Sequence, residues 1–137
     1  MDTLKQIEDR LYGTDMALPA AGAVVLTSSG DWPVVTGRRN LQGAHRRRAV
    51  TRQGEMLHRD LYGGSLSSHI ENVDNDVTRS LLKSNIETNA LRDDRVGRVD
   101  VVVSNPQDVE PWKVLIDMVV TPRGGEQQVG NSFTLDV

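Results

Sequence analysis

Residues 96–104 read VGRVDVVVS, and residues 112–121 read WKVLIDMVVT. The first is largely β-branched. The second alternates through Val114, Ile116 and Met118, the two-residue period of a half-buried strand. Pro106 and Pro111 lie between them, where a turn belongs, because proline cannot donate to a strand ladder. A Gly-rich turn over residues 123–130 follows. Residues 131–137, NSFTLDV, alternate again at Phe133, Leu135 and Val137. Three such strands predict an antiparallel β meander. A meander has open edges that can pair with another strand; residues 114–121 and 131–137 are the candidates for the exposed edge, and either of them could instead be internal.

Upstream of Arg95 the period lengthens. From Leu66 to Leu91, apolar residues at Leu66, Ile70, Val73, Val77, Leu81, Leu82, Ile86 and Ala90 keep to one helical face. Asp74 and Asn75 are cap-type residues, so the run reads as one helix or as two with a break near Asn72. Residues 51–64, TRQGEMLHRDLYGG, have no period and three glycines, and read as a structured loop. Residues 39–50 form a helix with Leu41, Ala44 and Ala49 inward and Arg46, Arg47 and Arg48 mostly outward. Before it come a short extended piece at residues 32–35 and a short strand at Ala23–Leu26. Residues 3–11 form an amphipathic helix on Leu4, Ile7 and Leu11, stopped near Gly13. The predicted class is α+β: two or three helices followed by a three-stranded antiparallel meander. The division predicted is an N-terminal helix and extended segment over residues 1–29, available to dock a partner, and a main domain over residues 30–137.

The composition limits the chemistry. Of 137 residues, 37% are apolar and 4% aromatic, so the core must come from Leu, Val, Ile and Ala. The absence of Cys excludes disulfide scaffolds, thiolate zinc sites and Cys nucleophiles. No apolar run approaches the roughly 18 residues that a membrane-spanning helix needs. Residues 1–13, MDTLKQIEDRLYG, carry acids where a signal peptide carries lysines. The expectation is a soluble protein made in the cytosol, without a membrane partner.

His45, His58 and His69 match no metal-ligand spacing. They read as surface or internally satisfied histidines. No Gly-rich phosphate loop or serine elbow is present. Among Glu55, Asp60, Glu71, Asp74, Asp93 and Asp94, nothing singles out a glycosidase pair. No catalytic, cofactor or metal site is predicted.

Charge is unevenly placed. The net charge is −3, yet residues 38–59 carry seven Arg against Glu55 alone, leaving −9 on the rest. Such polarity points to an acidic partner for the basic region. The triplet Arg46, Arg47 and Arg48 reads as a solvated face, a protein-binding face or a nucleic-acid contact. At the end of the long helix, Asp93-Asp94-Arg95 reads either as an ion pair bracing the junction or as a group offered to a partner.

The order of these motifs carries a resemblance. Gly37, Asn40, Leu41, Ala44, Arg47, Arg48, Thr51, Gly54, Glu55, Tyr62, Gly63 and Leu66 precede a long helix, an Arg-bearing junction and a meander. This set, over residues 30–137, resembles the baseplate wedge and sheath-initiator proteins of contractile phage tails. It is similar also to small baseplate components of type VI secretion and of extracellular contractile injection particles. Family members often carry Glu-Pro-Arg at the junction, where it docks onto the wedge's helical core bundle. Here Asp93-Asp94-Arg95 keeps the acid and the Arg and lacks the Pro. Val50 stands where the family usually has Leu.

The resemblance implies a structural, cofactor-free subunit of a virion tail baseplate, present in a sixfold assembly. Its implied partners are other wedge proteins and the tail sheath protein, and nucleic acid is not expected among them. Strand pairing with the sheath would use Asn131, Ser132, Phe133, Thr134, Leu135, Asp136 and Val137. Some family members bear a lysozyme-like label, but no residue pattern here supports that activity. The reading that competes with it is a nucleic-acid-binding module using the Arg38–Arg59 region.

Overall fold

The computed structural model describes residues 1–18, 23–64, 76–104, 113–124 and 127–136. They fall into two compact units, Met1–Ala44 and His45–Val137, divided inside one helix. In the first unit, helix α1 (Leu4–Tyr12) opens on a capping box. Gln6 N–H donates to Thr3 Oγ1, and Thr3 N–H donates to Gln6 Oε1 at 2.8 Å. Gly13, at φ +73°, ends the helix. Strand β1 (Thr14–Met16) then pairs antiparallel with β2 (Val34–Thr36). Helix α2 (Gly37–Val50) begins two residues earlier than its sequence pattern indicates.

The strand expected at Ala23–Leu26 is absent: these residues are irregular, and Val25 is 76% exposed. Tertiary ties explain the exchange. Arg38 pairs with Glu8, and Asn40 Nδ2 donates to the Tyr12 carbonyl at 2.9 Å. These bonds bring residues 14–16 alongside 34–36 and give β2 its ladder. The extended piece expected at residues 32–35 is therefore β2, moved on by one or two residues.

In the second unit, helix α3 (Asp76–Leu91) buries Leu82, Ile86 and Ala90 and leaves Val77, Leu81 and Leu91 exposed. Its buried stripe is narrower than the apolar spacing alone suggests. The earlier part of the expected long helix, residues 66–75, lies outside the described residues. So do the Pro106–Pro111 turn, His69 and Val137.

Strands β3 (Val96–Ser104), β4 (Lys113–Pro122) and β5 (Val129–Asp136) form an antiparallel sheet in the order β3-β4-β5, with α3 packed on β3. The fold is α+β, with a three-stranded antiparallel meander. Strand β4 is central, which removes residues 114–121 from the edge candidates. A meander places its second strand in the middle, where both ladders are occupied.

Burial follows the period-two pattern in β4, where Val114, Ile116, Met118 and Val120 are buried. In β3, Val96 and Val101 are both buried although five residues apart, a spacing that should put them on opposite faces. The register shifts between Val96 and Arg98. The extra residue of this bulge reverses the side-chain phase and returns both valines to the core.

Candidate functional site at the helix–sheet junction

Three segments of the second unit meet where α3 passes into β3: the C-terminal half of α2, the loop over residues 51–64, and residues 89–95. The loop is clamped to the end of α2. Gly64 N–H donates to the Arg48 carbonyl at 2.8 Å, and Thr51 Oγ1 donates to the Arg47 carbonyl at 2.7 Å. The first occupies a carbonyl that a helix end otherwise leaves unpaired, and the second adds to the Thr51 N–H bond that the Arg47 carbonyl already accepts at 3.0 Å. The approach requires glycine. A Cβ on Gly63, whose φ is +116°, would lie 2.3 Å from the Thr51 carbonyl oxygen. A Cβ on Gly64 would lie 2.8 Å from that of Ala49. The loop closes on itself through Gly54 N–H to the Asp60 carbonyl and Arg52 N–H to Glu55 Oε2, each at 3.0 Å. Thr51, Gly54, Glu55, Tyr62 and Gly63 of the sequence signature thus each contribute to the shape of one loop.

The basic triplet is unevenly exposed. Arg46 is exposed, whereas Arg47 and Arg48 are half-buried. The Arg48 guanidinium stacks over the Tyr62 ring, 4.5 Å from its centroid, and Nη1 donates to the Asn89 carbonyl at 3.3 Å. A helix rotates successive residues by about 100°, so three adjacent Arg are separated by geometry.

At the junction itself, Asp93 is buried at 8% exposure and grips Arg95 in a bidentate pair. Arg95 Nε lies 2.9 Å from Oδ1 and Nη2 lies 2.7 Å from Oδ2; Arg95 N–H also donates to Oδ1 at 3.0 Å. Burial pushes the Asp93 carboxyl up, but the Arg95 bonds and charge, aided by His45, bring it below the usual carboxylate value. A carboxylate held ionised in this way is unsuited to general-acid work. The bracing ion pair anticipated for Asp93-Asp94-Arg95 is formed by Asp93 and Arg95, and Asp94 is exposed.

His45 lies behind this pair. It is 3% exposed, its Nε2 is 3.9 Å from Asp93 Oδ2, and neither ring nitrogen has a hydrogen-bond partner among the described residues. Burial lowers its pKa to about 4; Asp93 opposes the shift, while Arg95 and Arg48 add to it. The imidazole is therefore neutral at neutral pH. Beside it is a cavity of about 10 Å³ bounded by Ala49, Ile86, Ala90 and Met118, room for about one water molecule.

Sequence reading missed His45, although it sits one turn from Leu41 and one from Ala49, all three buried on one face of α2. It also missed Asn89, which is buried and receives Arg48 at its carbonyl and Arg92 at Oδ1. Among the described residues, no group of three or more His, Asp or Glu is placed to hold a metal ion. No described helix is long and apolar enough to cross a membrane.

At the other side of the sheet, β5 has β4 as its strand neighbour and runs in unbroken register from Val120↔Val129 to Lys113↔Asp136. It contains residues 131–136 of the expected pairing strand.

No family model matches the sequence, and no curated protein matches it. Solved structures do. A candidate tail lysozyme from Geobacter sulfurreducens superposes with a TM-score of 0.63 at 18% identity, over 84% of this chain and 96% of that one. A chain of the anti-feeding prophage baseplate, solved with sixfold symmetry imposed, gives a TM-score of 0.61 at 18% identity, over 85% of this chain and 88% of that one. At this identity the likeness is one of fold, and the fold of this chain is the one found in a tail protein and in a baseplate.

Proposed function

We propose that the chain is a structural subunit of a contractile-tail baseplate, one that seeds the tail sheath by pairing its β5 edge with an extended strand of a sheath subunit. The observation that carries this reading is the contrast between the two sheet edges. Natural edge strands are protected by bulges, charges or prolines. Strand β3 has a bulge at Gly97 and an exposed Arg98–Asp100 ion pair at 3.1 Å. Strand β5 reads VGNSFTLD, in regular register with β4 and with Asp136 as its one charge. An edge left regular and nearly uncharged suits strand addition, in which backbone bonds supply the affinity. The fold shared with a baseplate chain supports the same assignment, and that baseplate's sixfold symmetry suggests six copies here. Asp94 and the half-exposed Arg95, presented on a braced turn, are the residues assigned to the wedge's core bundle.

Proline scanning tests the strand role. Successive residues of a strand direct their N–H groups to opposite edges, so Ser132 and Thr134 form one set and Phe133 and Leu135 the other. One set, replaced by Pro, will break the β4 ladder and lower the melting temperature; the other will leave the fold intact. The reading requires the well-folded set to stop sheath polymerisation. Normal sheaths on a folded proline variant would refute it.

A further inference from the structure

The loop over residues 51–64 and the end of α3 build a second surface, independent of the β5 edge. An open groove of about 430 Å³ runs between them, lined by Arg48, His58, Arg59, Leu61, Tyr62 and Arg92, with Asp60 as the one carboxylate among the described residues that line it. Asn89 holds two of the guanidiniums side by side, accepting from Arg48 Nη1 at 3.3 Å and from Arg92 Nη1 at 3.4 Å. Arg92 is further fixed by the Leu61 carbonyl. The Arg59 side chain has no hydrogen bond or ion pair among the described residues. Three cations thus line one groove, and among the described residues no carboxylate is bonded to any of them. Like charges so placed repel one another, and a bound anion would relieve that repulsion. His58, at φ +64°, is the one described non-glycine residue with a positive φ, a backbone conformation that costs energy and is often kept at binding sites. Leu61 in the groove is 67% exposed, and Leu57, next to His58 in the same loop, is 84% exposed.

We infer that this groove docks an acidic segment of a protein partner, one that places a carboxylate between Arg59 and Arg92 with a large apolar side chain against Leu57 and Leu61. Guanidiniums fixed in this way match the bidentate geometry of a carboxylate. The apolar rim favours a peptide over a phosphodiester backbone, which would leave both leucines in water. The Tyr62 ring is already covered by Arg48 and cannot offer both faces to bases.

Selection from a random twelve-residue peptide library on the immobilised full chain tests this, with a dT20 oligonucleotide as the competing probe. Selected peptides should be enriched in Asp or Glu next to Leu, Ile or Phe. Their binding should weaken about tenfold in Arg59→Glu and several-fold in Leu57→Ser. Both side chains are exposed, so the melting temperature should stay unchanged. An unenriched pool, or acidic peptides that bind both variants as well as they bind the parent, would overturn the inference. So would dT20 binding that Arg59→Glu abolishes in the absence of peptide binding.

Discussion

Acidification should destabilise this protein through one buried side chain. His45 titrates near pH 6.5 when unfolded and near pH 4 when folded, because burial and the neighbouring Arg95 and Arg48 disfavour the imidazolium more than Asp93 favours it. Between those values the unfolded chain carries the proton and the folded chain does not. Stability therefore falls as pH falls from about 6.5 to 4, and little of this effect remains to be added below 4. A shift from 6.5 to about 4 corresponds to about 3 kcal/mol, with a slope approaching about 1.4 kcal/mol per pH unit in mid-range. Asp93 acts in a lower window. Its folded pKa lies below the ordinary 3.8, so it contributes stability above that value and loses it only at lower pH. The perturbation is His45→Leu, which removes the proton site from the apolar pocket. Urea unfolding at pH 7, 6, 5 and 4.5, followed by circular dichroism, should show the parent losing about 2 kcal/mol more than the variant over that range. Parallel stability–pH curves for the two proteins would show that His45 does not set the acid sensitivity.

Other substitutions probe the packing that positions the site. Gly63→Ala should destabilise the protein far more than Gly54→Ala in thermal melts. Both residues have positive φ, but a Cβ at 63 meets the Thr51 carbonyl at 2.3 Å and one at 54 meets nothing within 4 Å. Ile116→Ala, at a fully buried position of the central strand, should cost about 2–5 kcal/mol in urea titrations. Arg95→Ala should cost about 1–3 kcal/mol at neutral pH, since it leaves the buried Asp93 carboxylate without its bidentate partner. An unchanged melting temperature for Arg95→Ala would show that the pair does not brace the junction.

The parts of the fold legible in the sequence are those governed by periodicity. Val114, Ile116 and Met118 alternate because one face of β4 is buried, and Leu82, Ile86 and Ala90 recur because α3 lies on the sheet. Features set by tertiary ties were not legible in this way. Thr14–Met16 has no apolar period, and becomes a strand because the Asn40–Tyr12 and Arg38–Glu8 bonds place it beside β2. The Gly97 bulge is hidden because Val96 and Val101 look out of phase until the register shift is known. The middle position of β4 is a consequence of meander order, and it corrects the expectation that residues 114–121 could form the open edge. At the junction, the Asp93–Arg95 pair was readable from residues two apart, whereas Arg48, Arg59 and Arg92 come from separate segments and converge only on folding. The spacing of His45 with Leu41 and Ala49 carried a burial signal, obscured by its polar side chain.

The central claim is membership of a sheath-seeding baseplate. Its most direct test is affinity isolation of the tagged chain from cells producing the particle, with nuclease present and chemical cross-linking, read by mass spectrometry. Sheath and wedge proteins should be recovered, and residues 129–136 should cross-link to a sheath strand. Recovery of neither, with nucleic acid as the partner that nuclease removes, would contradict it.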